Sequence, residues 1–352
     1  MTQTAALRGT AVLGLLALGL SACGNNDDGG TAGNGAHQAD GDDGIVLYSG
    51  RNEELVQPLI DQFTEESGIQ VDVRYGDTAE LSAQLLEEGD NTPADVFLAQ
   101  DAGALGAVAQ DGLFDELPTE MLEKVPETYR DDGESWVGVS GRLRTLIYNT
   151  ELVDESELPE TVEELASPEF EGRVGVAPTN GSFQSFITAF RVSEGEDAAQ
   201  QWLDDLQANE PQKREGNGPI VADVIDGNLD MGLVNHYYLY AQAEERGVEV
   251  EDLPADNYLF GDGDVGALVN VAGAGVFDAG NEDALELVEH FLSEEGQTYF
   301  VEETAEYAMI DGPAAPTGLP PLEDLNNPDI DLNQLEDLES TVRMIVDAGL
   351  VG

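Results

Sequence analysis

The chain has 352 residues, enough for a large core and, by length, two domains. Its 73 acidic residues against 13 basic ones give a net charge of −60, which excludes nucleic acid and anionic membrane surfaces as partners. Apolar residues make up 41% of the chain, so it is globular, and acids such as Asp204-Asp205 and Glu244-Glu245 are spread along its whole length. They read as a hydrated, halophilic type of acidic surface suited to high salt, where self-repulsion is screened, rather than as a focused cation trap.

Residues 1–22 form a signal peptide: Arg8, the apolar run Ala11 to Leu20, then Ser21-Ala22. The apolar run is too short to cross a bilayer. Leu20-Ser21-Ala22-Cys23 resembles the bacterial lipoprotein signal, in which the cysteine is lipidated. Cys23 is the only cysteine, so no disulfide competes for it. Residues 23–43 are polar and glycine-rich and read as a flexible acidic tether. The expected location is extracytoplasmic, on a lipid anchor at the outer face of the cytoplasmic membrane.

Beyond the tether the pattern is strand, helix, strand, helix, strand: Ile45–Tyr48, Glu53–Ser67 stopped by Gly68, Ile69-Val71-Val73, Thr78–Glu88 closed by Gly89, and Ala94–Leu98. This predicts an α/β fold with mainly parallel sheet, with ligands at the carboxyl ends of strands. Three such ends stand out: Ser49 to Asn52, Gln100-Asp101 and Ser140-Gly141-Arg142. Trp136–Tyr148 reads as a long strand broken at Gly141, a crossover between lobes, with Arg142 and Arg144 on it. Of these, Arg144 is assigned to surface pairing with acids. Val174–Val176 is a strand, Pro178 to Ser182 a loop, Phe183–Arg191 and Ala198–Ala208 helices, and Ile220–Ile225 a short helix. Leu229–Asn235, Leu268–Val271 and Ala274–Val276 are strands. Asp283–Leu292 is a helix that Gly296–Val301 continues, Asp311–Pro321 a crossing loop, and Ser340–Gly349 a last helix.

The strand ending at Asn235 runs into His236-Tyr237-Tyr238-Leu239-Tyr240. A phenolate is a hard anionic donor suited to ferric iron, and the alternative is that these tyrosines are packing aromatics. As a strand neighbour of the pair, His236 is expected to face away from it, and Tyr240 to pack. A permanent guanidinium at Arg142 could grip an oxyanion bidentately.

Several stretches then carry a resemblance to a family: Tyr48-Ser49-Gly50; Glu87-Glu88-Gly89 with Pro93 to Phe97; Ser140-Gly141-Arg142 with Arg144 and Tyr148-Asn149-Thr150; Pro178 to Phe183; Gly227 to Asp230; Asn235 with Tyr237-Tyr238; and Gly266 to Val269. The chain resembles the bacterial ferric-iron-binding proteins of ABC iron transporters, in the extracellular solute-binding superfamily. The resemblance implies a two-lobed, periplasmic-binding-protein type II-like α/β fold with the ligand cleft between lobes. The lobes would be residues 44–141 with 270–320, and 142–269 with 321–352. It implies Fe(III) as cargo, Tyr237 and Tyr238 as metal ligands, and a synergistic anion, carbonate or phosphate. The positions matching the family's anion pocket are Arg142, Asn180, Gly181, Ser182, Asn217 and Asn235. Asn52 and Gln100 stand where many members have a histidine and a carboxylate; Asp101 and Glu53 are the neighbouring carboxylates that could substitute. Phe183 stands where some members have a further tyrosine. The implied partners are an ABC transporter permease and a ferric ion or chelate, and the implied state is a monomer.

Two alternatives remain on sequence grounds. One is a receptor for an anion or small organic ligand, with the tyrosines as cleft aromatics. The other is a secreted metal-dependent hydrolase, disfavoured because the chain lacks His-x-x-x-His and Gly-x-Ser-x-Gly patterns and has 3 histidines. The protein is therefore expected not to be an enzyme.

Overall fold

The structure, a computed structural model, describes residues 44–261, 263–325 and 327–351. The sequence readings on Cys23, the signal peptide and the tether lie outside these residues. In chain order the elements are β1 (Gly44–Ser49), α1 (Glu53–Ser67), β2 (Gln70–Tyr75), α2 (Thr78–Glu88), β3 (Val96–Ala99), α3 (Ala102–Gln110), α4 (Thr119–Leu122), β4 (Trp136–Asn149), β5 (Val174–Val176) and α5 (Gly181–Glu194). They continue with α6 (Glu196–Ala208), β6 (Gln212–Lys213), α7 (Asn217–Ile225), β7 (Met231–Asn235), α8 (Tyr237–Arg246), β8 (Ala255–Tyr258), β9 (Val269–Val276), α9 (Glu282–Phe291), α10 (Glu294–Thr304) and α11 (Leu338–Asp347).

The strands form one path, β2-β1-β3-β9-β4-β7-β5-β6, with β8 added to β4. Each end of the path is parallel: β1 with β2 and β3, and β5 with β6 and β7. The centre is antiparallel, because β4 and β9 run between the two halves. β4 is one strand of 14 residues, every one of them buried. Its first half pairs with β9, and its second half pairs with β7 and β8.

Gly141 does not interrupt β4, as its sequence suggested. Its backbone instead exchanges hydrogen bonds with Tyr307 (2.8 and 2.9 Å), and a Cβ there would sit 3.1 Å from the Tyr307 Cβ. The glycine marks a close approach of backbone, not a break. The two strands expected at 268–276 are likewise one, β9.

Some helices depart from the sequence reading: α7 starts three residues before Ile220, α3 lies where no element was read, and α5, α9 and α10 differ for local reasons. α5 begins at Gly181, because the Asn180 side chain accepts from the Ser182 N–H (3.0 Å) and caps the helix two residues earlier. α9 and α10 are separate, because Ser293 caps the second: its Oγ accepts from the Gly296 N–H (3.0 Å) and donates to the His290 carbonyl (2.7 Å). α3 follows β3 directly, with Asp101 as its cap.

α1 and α9 pack on the β1–β3 half, and α5 and α7 on the β5–β7 half. The C-terminal stretch touches both: Arg191 of α5 pairs with Asp337 (2.8 Å) ahead of α11, whereas the Leu335 carbonyl lies against Gly103 of α3.

The close centre of the sheet makes a stability prediction. A methyl on Gly273 of β9 would come within 2.8 Å of the Val137 carbonyl of β4 and 2.6 Å of Leu105 of α3. Gly273→Ala should destabilise by about 1–3 kcal/mol, seen as a lower urea midpoint with an unchanged slope.

Candidate functional site

The turn from β7 to α8 carries the tyrosine pair. β7 ends at Asn235, His236 is already in the right-handed helical region (φ −55°, ψ −41°), and α8 starts at Tyr237. The stretch is therefore a strand-to-helix turn and not a strand, which corrects the geometry expected for His236. Tyr237 is 3% exposed, Tyr238 is half-buried, and their rings stack at 4.3 Å with 27° between planes.

His236 is fully buried and serves the backbone. Its Nδ1 accepts from the Leu143 N–H of β4 (3.0 Å), taking the place of the next strand carbonyl, and its Nε2 donates to the Ala305 carbonyl (2.7 Å). Burial pulls its imidazole down to about 4, against the pull of the Ala305 carbonyl. It is a neutral structural link between β4, α8 and the end of α10. Tyr240 donates to the Thr317 carbonyl (2.7 Å) and packs, as expected.

Arginines form the other wall. Arg142 and Arg144 project from β4 and each is 2% exposed. The sequence placed Arg144 at the surface among acids; the structure buries it with no carboxylate. It donates to the Leu233 carbonyl (3.1 Å) and toward Ser182 Oγ (3.4 Å), and lies over the rings of Phe183 and Phe186 at 5.8 and 5.4 Å. The physical reason is that β4 has no exposed face. Burial pulls the Arg144 guanidinium down to about 9, an effect that Tyr238 opposes. Burial also pulls Arg142 down, helped by the like charge of Arg51 and opposed by Tyr237 and Glu306. Among the described residues, Nε and Nη1 of Arg142, Nε of Arg144 and Nε of Arg51 are buried donors without a partner.

Arg142, Arg144, Ser182, Asn235 and Asn270 surround a cavity of about 10 Å³, room for about one water. Asn180 Oδ1 accepts from Ser182 Oγ (2.6 Å), and Asn217 Nδ2 donates to Ser182 Oγ (3.0 Å), leaving the buried Asn217 Oδ1 unpaired. The structure thus groups Arg142, Asn180, Gly181, Ser182, Asn217 and Asn235 around the start of α5. Asn52 and Glu53 are exposed at the start of α1. Gln100 is half-buried at the end of β3, and Asp101 is 3% exposed beside it. Tyr75 donates to Gln57 (2.6 Å) on α1.

Sequence reasoning missed Arg51 and Glu306. Arg51 Nη2 meets both Glu306 oxygens (2.7 and 2.8 Å), and Ser140 Oγ donates to the same carboxylate (2.9 Å). Both side chains are almost wholly buried. Arg51 lay inside a strand end already marked as a ligand position; Glu306, in a chain with 73 acids, carried no signal. Burial pushes the Tyr237 phenol well above its usual range and Tyr238 adds to the rise, while Arg51 and Arg142 oppose it. Among the described residues no three His, Cys, Asp or Glu side chains cluster as a metal site.

A two-half α/β sheet crossed by antiparallel strands, with a polar site at the crossing, is the architecture of a solute-binding protein. The family model for bacterial extracellular solute-binding proteins matches residues 91–332, and the chain belongs to that family. It is 32% identical over 320 residues, 90% of this chain and 94% of the relative, to the Fe(3+)-binding periplasmic protein of Serratia marcescens. The structure of iron-bound HitA from Pseudomonas aeruginosa superposes with a TM-score of 0.81 at 32% identity, covering 87% of this chain and 99% of that one. A Trichodesmium protein, IdiA (FutA), in complex with iron and citrate superposes at 0.74 with 28% identity, covering 87% and 99%. The fold is that of type II periplasmic binding proteins.

Two buried groups give predictions. Glu306→Ala leaves Arg51 buried without a counter-charge and should destabilise by about 3–5 kcal/mol in urea unfolding. His236 has a folded value of about 4 against 6.5, so the unfolded chain takes up the proton first. Its contribution is complete above pH 6.5 and is lost as pH falls through 4, roughly 3 kcal/mol in all. His236→Gln should flatten the fall in unfolding free energy between pH 7 and 4 by that amount.

Proposed function

We propose that the protein is an extracytoplasmic receptor for ferric iron that delivers its cargo to an ABC transporter permease. The observation that carries this reading is the stacked Tyr237–Tyr238 pair set beside buried arginines whose donors lack partners. The two lobes, residues 44–141 with 270–320 and 142–269 with 321–352, close on the metal as a monomer, and Cys23 carries the lipid anchor. Tyr237 and Tyr238 supply phenolates, and Arg142 with the first turn of α5 holds a synergistic anion.

Charge supports the anion. Arg51 and Arg142 are countered by the carboxylates of Glu306 and Asp101, while Arg144 faces none, so these five side chains carry one net positive charge. Two phenolates and a ferric ion add one positive charge, and a divalent anion such as carbonate or hydrogen phosphate brings the cluster to neutrality. Burying such a cluster uncompensated would be costly. The Fe(3+)-binding relative and the iron-bound structures support ferric iron as the cargo. Asn52, Glu53 and Gln100 have no place in the proposed metal shell. A hydrolase has no support among the relatives, which are binding proteins.

Purified protein given Fe(III) and carbonate should show a visible tyrosinate-to-iron band. Tyr237→Phe and Tyr238→Phe should each abolish it and lower iron affinity by more than the roughly 10–100-fold that loss of a supporting group costs. Because each phenol must lose its proton to the metal, affinity should fall with pH, on the order of tenfold per unit for each proton displaced. A colourless complex, with iron retention unchanged in both variants, would overturn this reading.

A further inference from the structure

Asp101 stands at the start of α3, which packs on β3 and β9, and it faces α5, which packs on β7. Its Oδ1 accepts from the Ala104 N–H (3.1 Å) and caps α3. Its Oδ2 makes no hydrogen bond among the described residues and is turned to the first turn of α5. A methyl placed on Gly181 would lie 3.7 Å from it. Ser185, one turn further along α5 and 1% exposed, sets its hydroxyl toward the same carboxyl and favours its ionised form, without a hydrogen bond of normal geometry among the described residues. The next residue, Ala102, donates its N–H to Asn270 Oδ1 (3.2 Å), and Asn270 lines the small cavity with Arg142 and Ser182.

Arg142 is the group that Asp101 and the tyrosines share. Burial pushes the Asp101 carboxyl above its usual range, while Arg142, the Ala104 N–H and the Ser185 hydroxyl hold it down; the charges acting on Tyr237 are Tyr238, Arg51, Glu306 and Arg142. Asp101 and Arg142 are not in contact as an ion pair, and two Arg142 donors stay unpartnered and buried. The carboxylate therefore neutralises this positive pole from a distance without occupying its hydrogen-bonding positions.

We propose that Asp101 is an internal counter-anion: it supplies the negative charge that Arg142 and the N-terminal turn of α5 face, and an incoming anion must bind against it. A helix N-terminus of this length and a buried guanidinium both favour negative charge. A fixed carboxylate beside them offsets the Arg142 charge when the site is empty. A second anion is then repelled until the cargo metal adds its positive charge. Asp101 thus acts as a positioning residue that makes anion binding conditional on the metal, in place of acting as a metal ligand. The inference rests on the ferric-receptor reading for the role of the anion.

The test separates the two. Asn is as good a helix cap as Asp, and Ser caps α3 as well, so D101N and D101S remove the charge and keep the local fold. Titration calorimetry of metal-free protein with inorganic phosphate, in carbonate-free buffer, should show both variants binding on the order of tenfold more tightly than the natural protein. Thermal unfolding checks that each is folded. Phosphate affinity that is unchanged or weaker in the folded variants, or no binding by any of the three, overturns the role of Asp101. The iron band of the natural protein is read separately. A band without tighter phosphate binding removes only the Asp101 inference, and tighter phosphate binding without a band removes only the ferric reading.

Discussion

Three guanidiniums buried at the crossing of a sheet impose the constraint on which the rest of this structure depends. Water solvates a charge far better than a protein interior does, so each buried cation needs a counter-charge or a set of acceptors. Arg51 finds Glu306, a fully buried carboxylate that also receives Ser140 Oγ. Arg144 finds the Leu233 carbonyl and the faces of two phenylalanines. Arg142 keeps two donors without a partner. In a chain of net charge −60 the surface acids could have paired all three. That they do not shows the arginines held in place by β4 and by the close of β1, where no exposed face exists to let them out.

The tyrosine pair belongs to the same arrangement. α8 begins at the residue after His236, and His236 fixes that turn by taking the Leu143 N–H of β4 and donating to Ala305. Glu306 and Tyr307 follow Ala305 directly, so one short segment binds His236, Arg51 and the crossing strand at Gly141. A shift in any of these contacts moves the phenols relative to Arg142. The site depends on this backbone-anchored frame more than on a ring of carboxylates, and the exposure of Asn52 and Glu53 is consistent with that.

The sequence by itself determined the elements and their class, because apolar periodicity, caps and glycine stops act within a few residues. α1 with its left-handed Gly68, α2, β3 and the second half of α7 follow from local pattern. So does the grouping of Asn180, Gly181 and Ser182 at the start of a helix, although the cap itself moved that start two residues upstream. Tyr237 and Tyr238 were legible as a candidate donor pair because two adjacent phenols are chemically distinctive. What only the tertiary structure decided was which charges are buried and what they face. No local pattern states that Arg144 has no water to reach, that Glu306 rather than another of 73 acids meets Arg51, or that Asp101 turns its second oxygen to α5. Those facts arise from residues up to 255 positions apart brought together by a strand buried on both faces, and burial, a property of the assembled fold, sets the energy of every charge in the site.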